Sequence, residues 1–311
     1  METQIIKGEL IQEKIFTDVK NEITALQEKY HKKPGIAFIG FAHIPLSKYN
    51  IPFHVQMAQA AGFNVVTELK PENTPEDEML QLIEQFNNNN DIHAVVLFQP
   101  LPAHLNPVRI INAIKQEKEI EGFHPQNMLS TLIPDLQTEK YPMCLPTALY
   151  EMAKEADLHF SKDMEWVFVL DDEFITNNLT HMVVKCAASK AVPQDCPSTF
   201  INKSAANLVG TIKRADVLVV VTKYPEYIQA EWLKPGVCII DIYSNLVKEV
   251  PSKNDPDKLV PVIRGGVNVA SVQNIASAIL PIPGGLMTVV LPILLRNGLI
   301  AFKNSLGLTG P

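Results

Sequence analysis

Short apolar runs, spaced by helix-length segments, decide most of what this 311-residue chain can become. GIAFIGF (35–41), FNVVTEL (63–69), HAVVLF (93–98), WVFVL (166–170), DVLVVVT (216–222) and VCIIDIY (237–243) recur along the sequence. Each is too short to cross a bilayer, and most lack the polar alternation of a strand with one wet face. They read as buried strands. Strands separated by helices of ten or more residues pair in parallel, so the fold class is α/β with parallel sheets.

The segments between the runs support this reading. A helix is expected over 9–30, where Leu10, Ile11, Ile15, Val19, Ile23 and Leu26 share one face. Another covers 51–61 and is closed by Gly62. Thr74 is expected to cap a third, with Pro75 at its first position and acids in its first turn. The apolar residues Met79, Leu80, Leu82, Ile83 and Phe86 continue it. After Pro142 the alternation restarts with a linking helix at PTALYEMAKEA, and a further helix is read at SAANLVGTIKRA (204–215). Two βαβ halves and a long C-terminal helix result. The expected domains are 1–145 together with 280–311, and 146–279.

Composition narrows the partners. A net charge of −7 argues against a nucleic-acid groove or an anionic membrane surface, but not against an anionic small ligand in a local pocket. Cys144, Cys186, Cys196 and Cys238 are widely spaced and the histidines lack ligand spacing, so free thiols in a reducing, cytoplasmic setting and no metal site are expected. The N-terminus METQIIKGELIQEK carries no long apolar run, and no signal peptide is expected. The stretch 280–302 is interrupted by prolines, glycines and Arg296, which favours a loop and then a buried helix over a membrane span.

Four stretches together resemble one family, the bifunctional methylenetetrahydrofolate dehydrogenase/cyclohydrolases. FQPLPAHLN (98–106) resembles its Q-L-P-L-P-x-H segment, and EKEIEGFHPQN (117–127) its K-D-V-D-G-F-H-P-x-N. YPEYIQAEWLKPGVCIIDIYSN (224–245) and LPIPGG (280–285) resemble its later motifs, in the family's order. The resemblance implies an N-terminal tetrahydrofolate-binding domain, a Rossmann-like domain for NAD(P), a cleft between them, and a homodimer.

The departures fall on the chemistry. Within SKYNIPFHVQMAQAAG (47–62), His54 stands where the family has its lysine, and Asn50 where it has its tyrosine, with Tyr49 one residue earlier. The family's glutamine aligns with Phe98, which displaces Gln99 by one. Its aspartate is Glu121 here. The resemblance therefore implies His54 and Glu121 as an acid/base pair, with a carboxylate orienting the imidazole. Tyr49, Asn50, Leu97, Phe98, Gln99, Pro283, Gly284 and Gly285 would line the folate site. His124 is expected to be structural, and His43, in the loop entering the helix that carries His54, to lie at the surface rather than line the cleft.

On the dinucleotide side, the family's glycine-rich turn is replaced. WVFVL runs into Asp171, Asp172 and Glu173, and residues 171–190 contain no glycine. Glycines there let a backbone approach phosphates, and acids repel them. PSTF (197–200) stands in for the family's His-Ser-x-Thr, GGVNV (265–269) places Asn268 at another cofactor-side position, and the loop after Gly285 is altered. The expectation is that NAD(P) is not bound and hydride transfer is lost. A folate enzyme limited to hydrolysis or one-carbon transfer would remain. The alternatives are a non-catalytic folate-binding or scaffold homologue and an intact bifunctional enzyme.

Overall fold

The computed structural model describes residues 2–132, 141–171 and 196–308. The chain opens with β1 (Gln4–Ile5) and α1 (Glu9–Tyr30), and divides into two compact units. One comprises Gln12–Cys144 with Leu291–Pro311, the other Met1–Ile11 with Leu145–Val290.

The unit built on Gln12–Cys144 holds β2 (Gly35–Phe41), α2 (Ser47–Ala61), β3 (Asn64–Lys70), α3 (Glu76–Asn88), β4 (Ala94–Leu97), α4 (Pro107–Ala113) and α5 (Pro125–Leu132). Its sheet has the order β3-β2-β4, all parallel. β2 is central and buried along its whole length, as its unbroken apolar run requires. Met79, Leu82, Ile83 and Phe86 form the buried face of α3. Thr74 does not cap that helix. Its hydroxyl donates to the Pro71 carbonyl at 2.8 Å, and Pro75, in extended conformation, takes the cap position.

α2 starts at Ser47, earlier than the proline at 52 suggests, and ends at Gly62 with φ +104°. A side chain at 62 would meet Ile23 at 2.8 Å, so this left-handed cap needs glycine on both counts. Residues 291–305, the end of the last helix, pack within this unit. Asn297 Nδ2 donates to the carbonyls of Ile120 (2.8 Å) and Pro142 (3.0 Å), and Phe302 meets the His93 ring edge-on at 4.9 Å.

The other unit contains α6 (Cys144–Glu155), β5 (Trp166–Leu170), β6 (Ser198–Asn202), α7 (Leu208–Ile212), β7 (Val217–Val221) and β8 (Cys238–Asp241). β9 (Asn245–Pro251), β10 (Leu259–Arg264), α8 (Val269–Val272), β11 (Ala278–Leu280) and the start of α9 (Leu286–Ser305) follow. A six-stranded parallel sheet runs β1-β11-β8-β7-β5-β6, the Rossmann-like arrangement. β9 and β10 form a separate antiparallel ribbon, an exception to the all-parallel expectation. Val167, Val169, Leu218, Val220, Ile239 and Ile279 contribute to the core on one sheet face. α9 is the one described helix long and apolar enough to cross a membrane, yet Ile293, Leu295 and Phe302 on it are fully buried in the protein.

Candidate active site

In a parallel sheet, ligands gather at the carboxyl ends of the strands, because loops there are free to differ while the strands hold them. At the end of β4, two consecutive residues anchor the expected acid/base groups. The Leu97 amide lies near the Glu121 carboxylate and favours its charged form, and the Phe98 ring meets the His54 ring edge-on at 4.9 Å. Phe98 is held by its own N–H on the Ile39 carbonyl of β2 at 2.8 Å. The structure thus gathers His54, Leu97, Phe98 and Glu121 at one sheet edge.

His54 lies on α2, half-buried against Phe98 and Phe38, whose ring centroid is 6.0 Å away. Its Nδ1 faces the Asn50 carbonyl at 2.7 Å. A carbonyl only accepts, so Nδ1 carries the hydrogen and Nε2 keeps the basic lone pair. A backbone oxygen, rather than the expected carboxylate, orients this ring. Burial lowers the imidazole pKa, partly offset by that hydrogen bond, so the ring is neutral at physiological pH. Tyr49 is partly buried and Asn50 exposed on the preceding turn, with Lys48 Nζ 5.1 Å from the Tyr49 ring centroid. Gln99 is exposed and precedes a cis bond to Pro100.

Glu121 follows an acid that sequence reasoning passed over. Glu119 is 2 % exposed, and its two oxygens accept the amides of Glu121 (2.9 Å) and His124 (2.7 Å). Burial pushes it up to about 7, while the Gly122 and Phe123 amides of the same turn also favour its charged form. Burial, then the neighbouring Glu119, push Glu121 up to about 8, while the nearby Leu97 amide opposes the rise. A carboxyl group in that state is protonated at neutral pH and can donate. The signal for Glu119 was its spacing, two residues ahead of Glu121 in a short turn. Gly122 (φ +87°) shapes that turn, where a side chain would strike the Met143 backbone at 2.7 Å. His124 Nδ1 accepts the Gln126 amide at the start of α5, and His43 Nε2 lies 3.9 Å from Glu72.

Pro283, Gly284 and Gly285 form a backbone turn in the other unit. The Gly284 carbonyl accepts from Gly8 N–H at 2.8 Å, and a side chain at Gly285 would lie 2.4 Å from the Pro281 carbonyl oxygen. Gly284 has φ +96°. Asn268 caps α8 by accepting the amides of Ala270 and Ser271.

At the carboxyl edge of the six-stranded sheet, Leu170 pairs with both Asn202 and Val221, so the residues after these strands line up. Asp171 is 3 % exposed and does not project from the edge. Its carboxylate accepts from Thr222 Oγ1 (2.8 Å) and Lys223 N (2.6 Å). Asp172, Glu173 and the segment to 195 lie outside the described residues. The end of β6 offers Asn202, Lys203 and Ser204, with Lys203 Nζ 3.9 Å from the Tyr224 ring centroid. In this topology the loop after the second strand meets the ribose of a dinucleotide. A cation there suits a 2′-phosphate, and an acid suits a 2′-hydroxyl. These residues, not 197–200, occupy that position. Asp241, at the end of β8, accepts the amides of Gly266 (3.1 Å) and Val267 (3.0 Å), and a side chain at Gly265 would lie 2.0 Å from its carboxylate.

Comparison with known proteins bears on both edges. Residues 6–121 match the family model described as tetrahydrofolate dehydrogenase/cyclohydrolase, catalytic domain. Residues 143–306 match the NAD(P)-binding domain of the same family. A bifunctional protein FolD from Desulfosudis oleivorans is 32 % identical over 308 residues, covering 99 % of this chain and 100 % of the relative. Another from Desulfatibacillum aliphaticivorans is 30 % identical over 308 residues, covering 99 % and 100 %. In fold, the chain resembles the Trypanosoma brucei methylenetetrahydrofolate dehydrogenase-cyclohydrolase, solved with NADP and an inhibitor. The TM-score is 0.83 at 23 % identity, over 98 % of this chain and 99 % of that one.

These findings overturn two expectations, that NAD(P) is not bound and that the chain is a folate enzyme without hydride transfer. The NAD(P)-binding-domain match spans the segment where the cofactor site was taken to be degenerate. One-carbon transfer to another acceptor and the label of divergent homologue also gain no support. The physical error is visible at Asp171. The acid counted as repelling a pyrophosphate is consumed inside the fold by a hydroxyl and an amide.

Proposed function

From the premise that the chain belongs to the tetrahydrofolate dehydrogenase/cyclohydrolase family, we propose that it is a bifunctional enzyme. It oxidises 5,10-methylenetetrahydrofolate with NAD(P)⁺ and hydrolyses the resulting 5,10-methenyl group to 10-formyltetrahydrofolate. The observation that carries this reading is the match of both family domains along one chain, catalytic and NAD(P)-binding.

The described residues fit such a cofactor at the carboxyl edge of the six-stranded sheet. Lys203 supplies a cation beyond β6, and Gly265 and Gly266 bring backbone close to Asp241, leaving no room for side chains. Lys203, Ser204 and Asn202 would hold the ribose end, and the cation favours NADP over NAD. Bound there, the nicotinamide supplies a two-electron acceptor for the hydride leaving the methylene carbon.

The chain's own residues account for the proton movements. Glu121, protonated at neutral pH, gives its proton to N10 as the bond from the bridging carbon to N10 opens to the N5 iminium, and takes it back when the ring recloses before the hydride leaves. In hydrolysis, water adds to the methenyl carbon, forming a C–O bond, and gives its proton to His54 Nε2. As the bond from that carbon to N5 breaks, the proton returns to N5, the carbinol hydroxyl gives up its own proton to solvent as the carbonyl forms, and the formyl group stays on N10. Support for these roles is the fixed Nδ1–H tautomer of His54 and the raised acid at 121. Tyr49, Asn50 and the backbone at Leu97–Gln99 would line the pterin side. A cytoplasmic homodimer accompanies this reading, and sedimentation of the purified protein tests its assembly.

The direct test follows methylenetetrahydrofolate oxidation with NADP⁺ and NAD⁺ separately, and methenyltetrahydrofolate decay without nucleotide. Reduction of NADP⁺ together with faster decay supports the reading. Failure to reduce either nucleotide defeats it.

A further inference from the structure

We propose that Glu119 is the positioning residue of this site: by accepting the backbone N–H groups of Glu121 and His124, it holds the turn between them in place and keeps the one proton of the Glu119–Glu121 pair on Glu121. The inference rests on the reading of Glu121 as the acid of the reaction.

Two carboxyl groups two residues apart in one dry environment do not readily both ionise. Which of them keeps the proton is decided by hydrogen-bond donors, because an N–H aimed at an oxygen favours the charged form. Glu119 accepts the amides of Glu121 (2.9 Å) and His124 (2.7 Å), and the Gly122 and Phe123 amides of the same turn also favour its charged form. On Glu121 only the nearby Leu97 amide favours the charge. The charge belongs on Glu119 and the proton on Glu121.

Nothing else near the pair reverses this allocation. Among the described residues neither acid forms an ion pair, and no cation acts on Glu121. The Cys144 thiol is raised by burial and by both acids, so it stays neutral, and it points at the Ile120 carbonyl at 3.7 Å. Arg296 acts on Cys144. Tyr141, raised to about 12, spends its hydroxyl on the Glu117 carbonyl at 2.6 Å. Glu117 itself adds only further negative charge, felt at Tyr141 and His124. Removing the charge at 119 should therefore release Glu121 to ionise earlier.

The test is a carboxyl-carbon NMR titration of the full chain labelled at glutamate Cδ, with signals assigned through Glu119→Gln and Glu121→Gln. In the wild-type protein, Glu119 is expected to ionise first and Glu121 second. In Glu119→Gln, the Glu121 midpoint should fall by about one pH unit or more, and Glu119→Asp should restore it. The alkaline limb of kcat/KM should move with it, with kcat changing more than KM. Reversed order in the wild type, or an unmoved Glu121 midpoint in Glu119→Gln, overturns the proposal. Should Glu119→Gln not fold, the wild-type order alone decides. The expected order combined with full turnover in Glu121→Gln upholds the proton allocation and sinks the assignment of Glu121 as the acid instead.

Discussion

The two sheets of this chain present the same kind of edge and use it differently. Beyond β5 and β8, the buried acids are consumed by the fold. Asp171 takes a hydroxyl and an amide, and Asp241 takes the amides of Gly266 and Val267. Beyond β4, one acid of a pair is consumed in that way and the other is not. Glu119 takes the amides of Glu121 and His124, which hold it to about 7 against burial, while Glu121, with only the Leu97 amide nearby, is pushed up to about 8. A buried carboxylate whose lone pairs are filled by backbone is a fastener. One that burial raises and few donors satisfy is poised for chemistry. The distinction lies in donor count, not in residue type.

The sharpest way to break this comparison is Glu121→Gln. Turnover of both reactions should fall by about 10²–10⁴-fold, with reduced-folate binding retained in calorimetry. Unchanged turnover would make Glu121 another fastener. His54→Ala should lower methenyl hydrolysis by about 10²-fold and nucleotide reduction much less, because only hydrolysis needs a base for water. Equal losses in the two assays would place His54 in a shared step.

Asp171→Ala tests the other edge. If Asp171 repelled phosphates, its removal would tighten NADP⁺ binding. Because it fastens Thr222 and Lys223, the expected outcome is instead a stability loss on the order of 1–3 kcal/mol in denaturant unfolding, with no gain in affinity. The smallest effect concerns pH. Glu119, Glu121 and Asp241 all have folded pKa values raised above the ordinary carboxylate range, to about 7, about 8 and about 7. Their protonated forms favour the folded state, so that stability is full below the unfolded values and is lost as pH rises through the folded ones. His93, lowered to about 4 by burial, works oppositely and loses its contribution only as pH falls below the usual imidazole value. Between about pH 6.5 and pH 9 the wild type should lose on the order of 1 kcal/mol, and Glu121→Gln should lose less.

Much of the scaffold was legible. The six apolar runs are strands, α1 spans its expected range, and Gly62 closes α2. β1, with two residues, is too short to carry a pattern. β6 (STFIN) is an edge strand lying in a stretch that reads as weakly helical, and the half-exposed ribbon β9–β10 carries prolines that argue against a strand. α7 is shorter than the stretch 204–215 suggests. At the candidate site, where both lie by the end of β4, His54 and Glu121 were singled out through their place in motifs. Glu119 was not, because its partners are backbone amides that no residue type announces. The cofactor reading failed for a related reason: an acid at a strand end was judged by its charge, without knowing where the charge is spent.

α9 begins in one unit and ends in the other, and β1 belongs to the unit whose remaining residues start at Leu145. During synthesis on the ribosome, the N-terminal strand must therefore wait for β11, the neighbour it pairs with. The earlier-made unit must wait for Asn297 to reach the carbonyls of Ile120 and Pro142. The earlier-made unit therefore cannot finish folding until the part of α9 from Leu291 on has emerged, a departure from the usual order in which N-terminal domains fold first. A premature stop anywhere before β11 would leave both halves open, not one half intact.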